Sequence, residues 1–122
     1  MRLLVVEDEA EIAESLTLLL EFAGHEVVVA SSGRGALEVV EKHLPDVALI
    51  DIGLPDIDGY EVARQFRKRP AFKAISLVAL SGYGRDEDIQ RGREAGFEHH
   101  LTKPTDPKTL ERLLGSIASA RQ

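Results

Sequence analysis

The 122-residue chain is 43% hydrophobic and 30% charged, which is typical of one globular domain and leaves no room for a second. It has no cysteine, which excludes disulfides and thiolate metal sites and makes a reducing, cytoplasmic compartment the expected location. The net charge of −6 argues against nucleic-acid binding, because a phosphate backbone requires a basic surface. Neither a signal peptide nor a membrane-spanning run is predicted.

Short runs of β-branched and aliphatic residues alternate with helical patterns along the whole chain. Their nearly continuous apolar character is typical of strands that are buried on both faces. The repeated alternation predicts βα units around a parallel sheet. The predicted strands lie at residues 3–6, 26–30, 47–50, 76–80 and 98–101.

The first two helices are marked by apolar spacing and by capping residues. The first carries apolar residues at helical spacing between Ile12 and Ala23, and Gly24 follows where a left-handed residue is tolerated. Ser32 is expected to cap a second helix over about residues 33–43.

The last three helices follow the same rules. Asp58 is expected to cap a helix over about residues 59–68. A fourth helix is predicted over about residues 85–95, although Gly92 inside it weakens the helical preference. Asp106 caps the fifth, which has proline in its first turn and an apolar stripe formed by Leu110, Leu113, Leu114 and Ile117.

Polar side chains follow four of the five strands, and the carboxyl ends of the strands are where open α/β sheets bind ligands. Three carboxylates near one point would repel one another, and a divalent cation with oxygen ligands, such as Mg²⁺, relieves that repulsion. Taken singly, each residue could equally be a turn former, a helix cap or a solvated charge. The residues are Glu7 and Asp8 after the first strand, Asp51 after the third, Ser81 after the fourth and Lys103 after the fifth.

Four stretches of the sequence occur together in a fixed order. They read VVEDE at residues 5–9, LIDIGLPDIDG at 49–59, ALSG at 79–82 and LTKP at 101–104. In this combination the chain resembles the receiver domains of two-component response regulators over essentially its whole length. The resemblance implies one flavodoxin-like (βα)5 domain over residues 1–122, with a doubly wound parallel sheet in the strand order 2-1-3-4-5.

The resemblance also implies a phosphorylation site with a bound Mg²⁺ ion. It makes Asp51 the phosphoacceptor and a metal ligand, and Asp8 a direct metal ligand. Glu7 would contact the metal through water, and the backbone carbonyl of Gly53 would complete the protein's share of the ligands. Glu7 stands where aspartate is commoner, and its additional methylene is compatible with a contact through water.

Further residues are assigned by the same resemblance. Ser81 would hydrogen-bond the phosphoryl group and act as a switch residue, and Lys103 would pair with a phosphoryl oxygen beside a cis Lys103-Pro104 bond. His100 occupies the position of the switch aromatic residue of the family, where its charge could couple the switch to pH. Alternatively, His100 is a partly exposed histidine without a special role. A metal site formed with the adjacent His99 is not expected, because neighbouring side chains on a strand point to opposite faces.

The implied function is that of a phosphoacceptor switch in a phosphorelay. Asp51 would take a phosphoryl group from a histidine kinase or a phosphotransfer protein, and the surface of the fourth helix, fifth strand and fifth helix would then bind a downstream partner protein or an attached module. Autocatalytic phosphotransfer and autodephosphorylation would be its only chemistry, so the chain is not expected to be an enzyme. No membrane insertion is expected.

Three other functions fit the sequence less well. A haloacid-dehalogenase type phosphohydrolase requires a second Asp two residues after the nucleophile, where this chain has Gly53. A nucleotide-binding loop is not supported, because Gly33-Arg34-Gly35 lacks a third spaced glycine. An interaction module that has lost phosphorylation is disfavoured by the acidic, serine and lysine set. Whether the chain is a stand-alone receiver or a module of a hybrid sensor kinase stays open.

Overall fold

The computed structural model describes residues 1–121, so Gln122, the last residue of the predicted domain, lies outside the described part. Five strands alternate with five helices, and a short 3-10 helix at Pro70–Phe72 precedes the fourth strand. The strands are β1 (Arg2–Val6), β2 (Glu26–Ala30), β3 (Val47–Asp51), β4 (Ser76–Ser81) and β5 (His99–Thr102). The helices are α1 (Ala10–Phe22), α2 (Gly33–Lys42), α3 (Gly59–Arg67), α4 (Asp86–Ala95) and α5 (Pro107–Ala120).

The five strands form one sheet. All neighbours pair in parallel, in the order β2-β1-β3-β4-β5, which confirms the predicted doubly wound sheet and its strand order. The register aligns Val6 with Ile50 and Ser81 with Thr102. The carboxyl ends of the strands therefore meet at one edge, at the point where the strand order reverses.

Helices cover both faces of the sheet and bury two apolar clusters. The cluster on the α2, α3 and α4 side contains Phe66, Phe72 and Phe97, all of them buried. The other cluster joins the inner sides of α1 and α5 to the sheet, and its helical members are Leu16, Leu20, Leu110, Leu114 and Ile117.

The burial of the strands depends on their place in the sheet. β1, β3 and β4 lie inside the sheet and are buried on both faces, apart from the first residue of β1. β2 and β5 are the two edge strands and are partly exposed. The prediction of burial on both faces was therefore wrong for these two strands, because an apolar run does not reveal which strand lacks a neighbour.

Three predicted helix caps are confirmed. The side chains of Ser32, Asp58 and Asp106 accept hydrogen bonds from the backbone N–H groups three residues ahead, at 3.0, 2.9 and 3.0 Å. Gly24 has a φ of 95° just beyond α1, as the predicted stop requires.

Three helices are one residue shorter than predicted. α2 ends at Lys42, α3 ends at Arg67, and α4 begins at Asp86 with Arg85 as its N-cap. The interior Gly92 does not prevent α4 from forming, because it is buried beside Phe97. Within residues 1–121, none of the helices combines the length and apolar character needed to cross a bilayer.

Candidate functional site

Three carboxylates come together at the carboxyl edge of the sheet. Glu7 and Asp8 follow β1, and Asp51 is the last residue of β3. Each offers one carboxylate oxygen, and these oxygens all lie within 4.8 Å of one another. Glu7 and Asp51 are buried, with relative exposures of 1% and 7%, whereas Asp8 is exposed. The structure therefore brings together the three side chains that the sequence predicted as metal ligands.

Lys103, the residue after β5, joins this cluster. Its Nζ lies 2.6 Å from Glu7 Oε1 and 3.2 Å from Asp51 Oδ2. The backbone of Lys103 is held as well, since its N–H donates to Ser81 O at 2.7 Å. The Lys103-Pro104 peptide is cis, as the resemblance implied. One ammonium group thus faces two buried carboxylates.

The electrostatics of the cluster leave negative charge incompletely balanced. Burial raises the pKa of the Glu7 carboxyl and the charge of Asp51 adds to this, while Lys103 and the N–H of Glu9 offset only part of the rise. Burial disfavours the ammonium of Lys103, but its hydrogen bond to Glu7 and the charge of Asp51 prevail and raise its pKa. A further cation at this edge would be electrostatically favoured.

Backbone contacts hold Asp51 in place. Gly53 N–H donates to Asp51 Oδ1 at 3.0 Å, and Ile52 N–H donates to Leu80 O at 3.0 Å. The start of α3 packs directly on the same residue, because a Cβ at Gly59 would lie only 2.6 Å from Asp51 O. A residue with a side chain at position 59 would displace the backbone that carries the Asp51 carboxylate.

Ser81, Tyr83 and His100 form a hydrogen-bonded triangle beside the carboxylates. Ser81 Oγ lies 2.6 Å from Tyr83 O and 2.7 Å from His100 Nε2, and Nε2 lies 3.2 Å from Tyr83 O. A carbonyl oxygen only accepts, so Ser81 donates its hydroxyl proton to Tyr83 O, and Nε2 must donate to Ser81. His100 Nδ1 is buried and lacks a hydrogen-bond partner among residues 1–121, which suits a nitrogen without a proton. These contacts assign the Nε2–H tautomer to His100.

The carboxylate cluster fits the ion that the resemblance implies. Its donors are hard oxygen atoms, which Mg²⁺ prefers, and they converge on one point. Gly53, whose carbonyl is the fourth predicted metal ligand, is exposed and hydrogen-bonded to Asp51 through its N–H.

Several groups of the site could not be predicted from the sequence. The Glu9 N–H donates to Glu7 Oε2 at 3.2 Å, and the Tyr83 carbonyl accepts from Ser81. Backbone groups of this kind leave no signal in the sequence, because every residue carries them. Asp56 lies within one of the four diagnostic stretches, but the sequence does not indicate that its carboxylate reaches the N–H groups of Gly33 and Arg34.

Known proteins resemble this chain in sequence and in fold. A family model described as the response regulator receiver domain matches residues 3–114. The protein PilH of Pseudomonas aeruginosa is 31% identical over 95% of this chain and 96% of its own length. The transcriptional regulatory protein AfsQ1 of Streptomyces coelicolor is 33% identical over 94% of this chain but 50% of its own length. The solved structure of chemotaxis protein CheY4 of Vibrio cholerae superposes with a TM-score of 0.91 at 30% identity, covering 95% of this chain and 97% of CheY4.

The sheet order and the acidic edge thus define the class of CheY-like α/β domains. Within that class, the chain belongs to the response regulator receiver domain family of two-component signalling. It spans about half the length of AfsQ1 and of other curated transcriptional regulators that it matches.

Proposed function

We propose that this domain is a phosphoacceptor switch in which Asp51 receives a phosphoryl group. The observation that carries the proposal is the position of Asp51, 3.2 Å from Lys103 Nζ and within the carboxylate cluster at the carboxyl edge of the sheet. Asp51 is only 7% exposed, and its carboxylate is paired with the ammonium group of Lys103. These contacts hold the carboxylate in one orientation, which favours reaction.

Asp8 and Asp51 would hold Mg²⁺ directly, Glu7 through water, and Gly53 through its carbonyl. When bound, Mg²⁺ would neutralise the charge of the phosphoryl oxygens. Residues of the chain would orient Asp51 and the phosphoryl group. Gly53 N–H orients one oxygen of Asp51, and Lys103 would pair with a phosphoryl oxygen.

The phosphoryl transfer is an in-line displacement. An oxygen of Asp51 attacks the phosphorus of a phosphohistidine on a histidine kinase or phosphotransfer protein, an O–P bond forms, and the P–N bond breaks with its electron pair returning to the imidazole of the donor. In the later hydrolysis, water attacks the phosphorus, the bond between phosphorus and the Asp51 oxygen breaks, inorganic phosphate leaves, and the Asp51 carboxylate is restored. We infer that these two autocatalytic reactions are the only chemistry of the domain, so it is a signalling protein and not an enzyme.

Ser81 and His100 are the proposed switch residues. In the unphosphorylated chain the Ser81 hydroxyl is engaged by Tyr83 O and His100 Nε2. A phosphoryl group on Asp51 would attract that hydroxyl, so the triangle would open and the β4-α4 loop would move. His100 also lines a groove of about 310 Å³ between α4 and β5, and the change would therefore reach the α4-β5-α5 surface.

The partners follow from this cycle. The proposal includes a phosphodonor with an exposed histidine, and a downstream protein or an attached module that reads the α4-β5-α5 surface. The net charge of −6 favours protein partners over nucleic acid for this domain. We place the cycle in the cytoplasm, on the basis of a sequence without cysteine.

The test is the intact mass of the protein after incubation with acetyl phosphate and Mg²⁺. We expect a gain of one phosphoryl group that is lost in Asp51→Asn and in the presence of a chelator. The control is Asp46→Asn, which changes an aspartate at the opposite end of β3 and should leave the gain intact. A gain that survives Asp51→Asn, or a wild-type protein that neither gains mass nor binds beryllofluoride, would refute the proposal.

A further inference from the structure

The carboxylate of Asp56 connects two loops at the carboxyl edge of the sheet. Asp56 lies in the β3-α3 loop, residues 52–58, which follows Asp51. Its Oδ1 accepts from Gly33 N–H at 3.0 Å, and its Oδ2 accepts from Arg34 N–H at 2.9 Å. These donors are the first two residues of α2, so one side chain joins the loop after the phosphoacceptor to a different helix.

This pairing completes the amino end of α2. The first N–H groups of a helix have no partner within the helix. Ser32 satisfies the N–H of Gly35, whereas the N–H groups of Gly33 and Arg34 donate to Asp56. The arrangement is electrostatically favourable, since the N–H groups of Arg34 and Gly33 lower the pKa of the Asp56 carboxyl to about 2.

Steric contact reinforces the connection. A Cβ at Gly33 would lie 2.5 Å from Ile57 Cγ1 and 2.9 Å from Ile57 O. The loop is therefore pressed against the start of α2 at two successive residues, by hydrogen bonds at Asp56 and by close packing at Ile57. Only glycine at position 33 permits this approach.

The same loop carries Gly53, whose backbone carbonyl is a proposed ligand of the metal. Near the start of the loop, Gly53 N–H donates to Asp51 Oδ1 at 3.0 Å, and Gly59 N–H donates to Ile52 O at 3.0 Å, which joins the two ends of the loop. Between these contacts, Asp56 supplies the polar attachment of the loop to the neighbouring helix. We therefore expect a shift in the middle of this short loop to move Gly53.

We propose that Asp56 is a positioning residue of the magnesium site: by fixing the β3-α3 loop on the amino end of α2, it holds the carbonyl of Gly53 where Mg²⁺ binds. The inference rests on the proposed function, because it takes Gly53 as a ligand. Asp56 itself does not contact the ion. Its effect is on the affinity of the site for Mg²⁺, separately from its effect on the stability of the fold.

The experiment is a Mg²⁺ titration of the unphosphorylated protein, followed by amide chemical shifts of ¹⁵N-labelled samples, with urea unfolding of each variant in parallel. We expect Asp56→Ala to weaken Mg²⁺ binding by about tenfold, the lower end of the effect of removing groups that orient metal ligands. Asp56→Asn retains one acceptor oxygen and should fall between Asp56→Ala and the wild type, and it serves as the test if Asp56→Ala does not fold.

The matched control is Asp46→Ala. Asp46 also accepts a backbone hydrogen bond, from Arg2 N–H at 2.8 Å, but it precedes β3 and so lies at the opposite edge of the sheet. The Asp46→Ala protein should be less stable than the wild type but should bind Mg²⁺ with the same affinity. If the Asp56 variants bind Mg²⁺ as tightly as the wild type, Asp56 is a helix cap only and the inference fails while the proposed function stands. If the wild type does not bind Mg²⁺, both fail.

Discussion

Lys103 Nζ lies 2.6 Å from Glu7 Oε1, closer than its 3.2 Å distance to Oδ2 of Asp51, the proposed phosphoacceptor. Lys103 and Glu7 are 96 positions apart in the chain. The side chain of Glu7 is completely buried, whereas that of Lys103 is 22% exposed. Lys103 therefore compensates a buried charge that has little access to water.

Replacing Lys103 should destabilise the protein in a metal-dependent way. Without Mg²⁺, Lys103→Ala leaves Glu7 and Asp51 facing each other, and we expect a loss of about 1–3 kcal/mol in the free energy of unfolding. Saturating Mg²⁺ supplies positive charge and should reduce that loss. Urea unfolding with chelator and with Mg²⁺ measures both. Lys108→Ala, at an exposed position on α5, is the control, and an equal loss in the two variants would contradict the prediction.

Gly59 should not tolerate a side chain. A Cβ at this position would lie 2.6 Å from Asp51 O and 2.8 Å from Ile52 Cα, so Gly59→Ala is expected to cost about 1–3 kcal/mol and to slow phosphorylation of Asp51. Gly115 has open space around its Cβ position within α5, and Gly115→Ala should stabilise the protein by up to about 1 kcal/mol. Thermal or urea unfolding that ranks the two variants in the opposite order would refute the steric argument.

Asp56 should make stability depend on pH in the acid range. Its pKa is about 2 in the folded protein against an ordinary value of 3.8, so the folded state binds this proton less tightly than the unfolded state. The stabilisation is fully present above the ordinary pKa and is lost as the pH falls through about 2. Urea unfolding of the wild type and Asp56→Asn from neutral to acid pH should therefore converge in that window. A constant difference across it would contradict the assignment.

Removing the hydrogen bond from His100 should favour the activated state. His100→Phe retains a ring but cannot donate to Ser81, whose hydroxyl then has one fewer contact in the unphosphorylated protein. A single hydrogen bond contributes about 0.5–1.5 kcal/mol, so beryllofluoride with Mg²⁺ should bind between about two- and tenfold more tightly. His99→Phe, on the neighbouring residue of β5, is the control. Unchanged affinity in His100→Phe would show that the triangle does not restrain Ser81.

Arg67 should be important for stability although it is far from the site. Its guanidinium donates to Ile75 O at 2.9 Å and to Glu98 Oε1 at 2.8 Å, and its Nε donates to Gly96 O at 3.2 Å. Arg67→Met should cost about 3 kcal/mol, because it leaves partly buried carbonyl groups without donors. Arg64→Met removes only an exposed pair with Glu61 and should cost less than about 0.5 kcal/mol. Urea unfolding compares the two directly, and similar losses would contradict the prediction.

Local patterns in the sequence were sufficient to place the elements. Apolar spacing located five strands and five helices to within a few residues, and Ser32, Asp58 and Asp106 marked helix starts because capping depends on side chains only three residues from their donors. The convergence of the predicted carboxylates could also be inferred, since parallel strands bring their carboxyl ends to one edge. The motif resemblance supplied the strand order and the residue roles.

Tertiary structure decided the contacts between distant parts of the chain. The pairing of Lys103 with Glu7, the donation from His100 to Ser81, and the attachment of Asp56 to α2 depend on strand register and on the distance between packed elements. The exposure of β2 and β5 likewise depends on which strands lie at the sheet edges. A one-dimensional pattern records the preference of each segment for a local conformation, whereas these contacts join segments whose separation in space is fixed only when the whole core is packed.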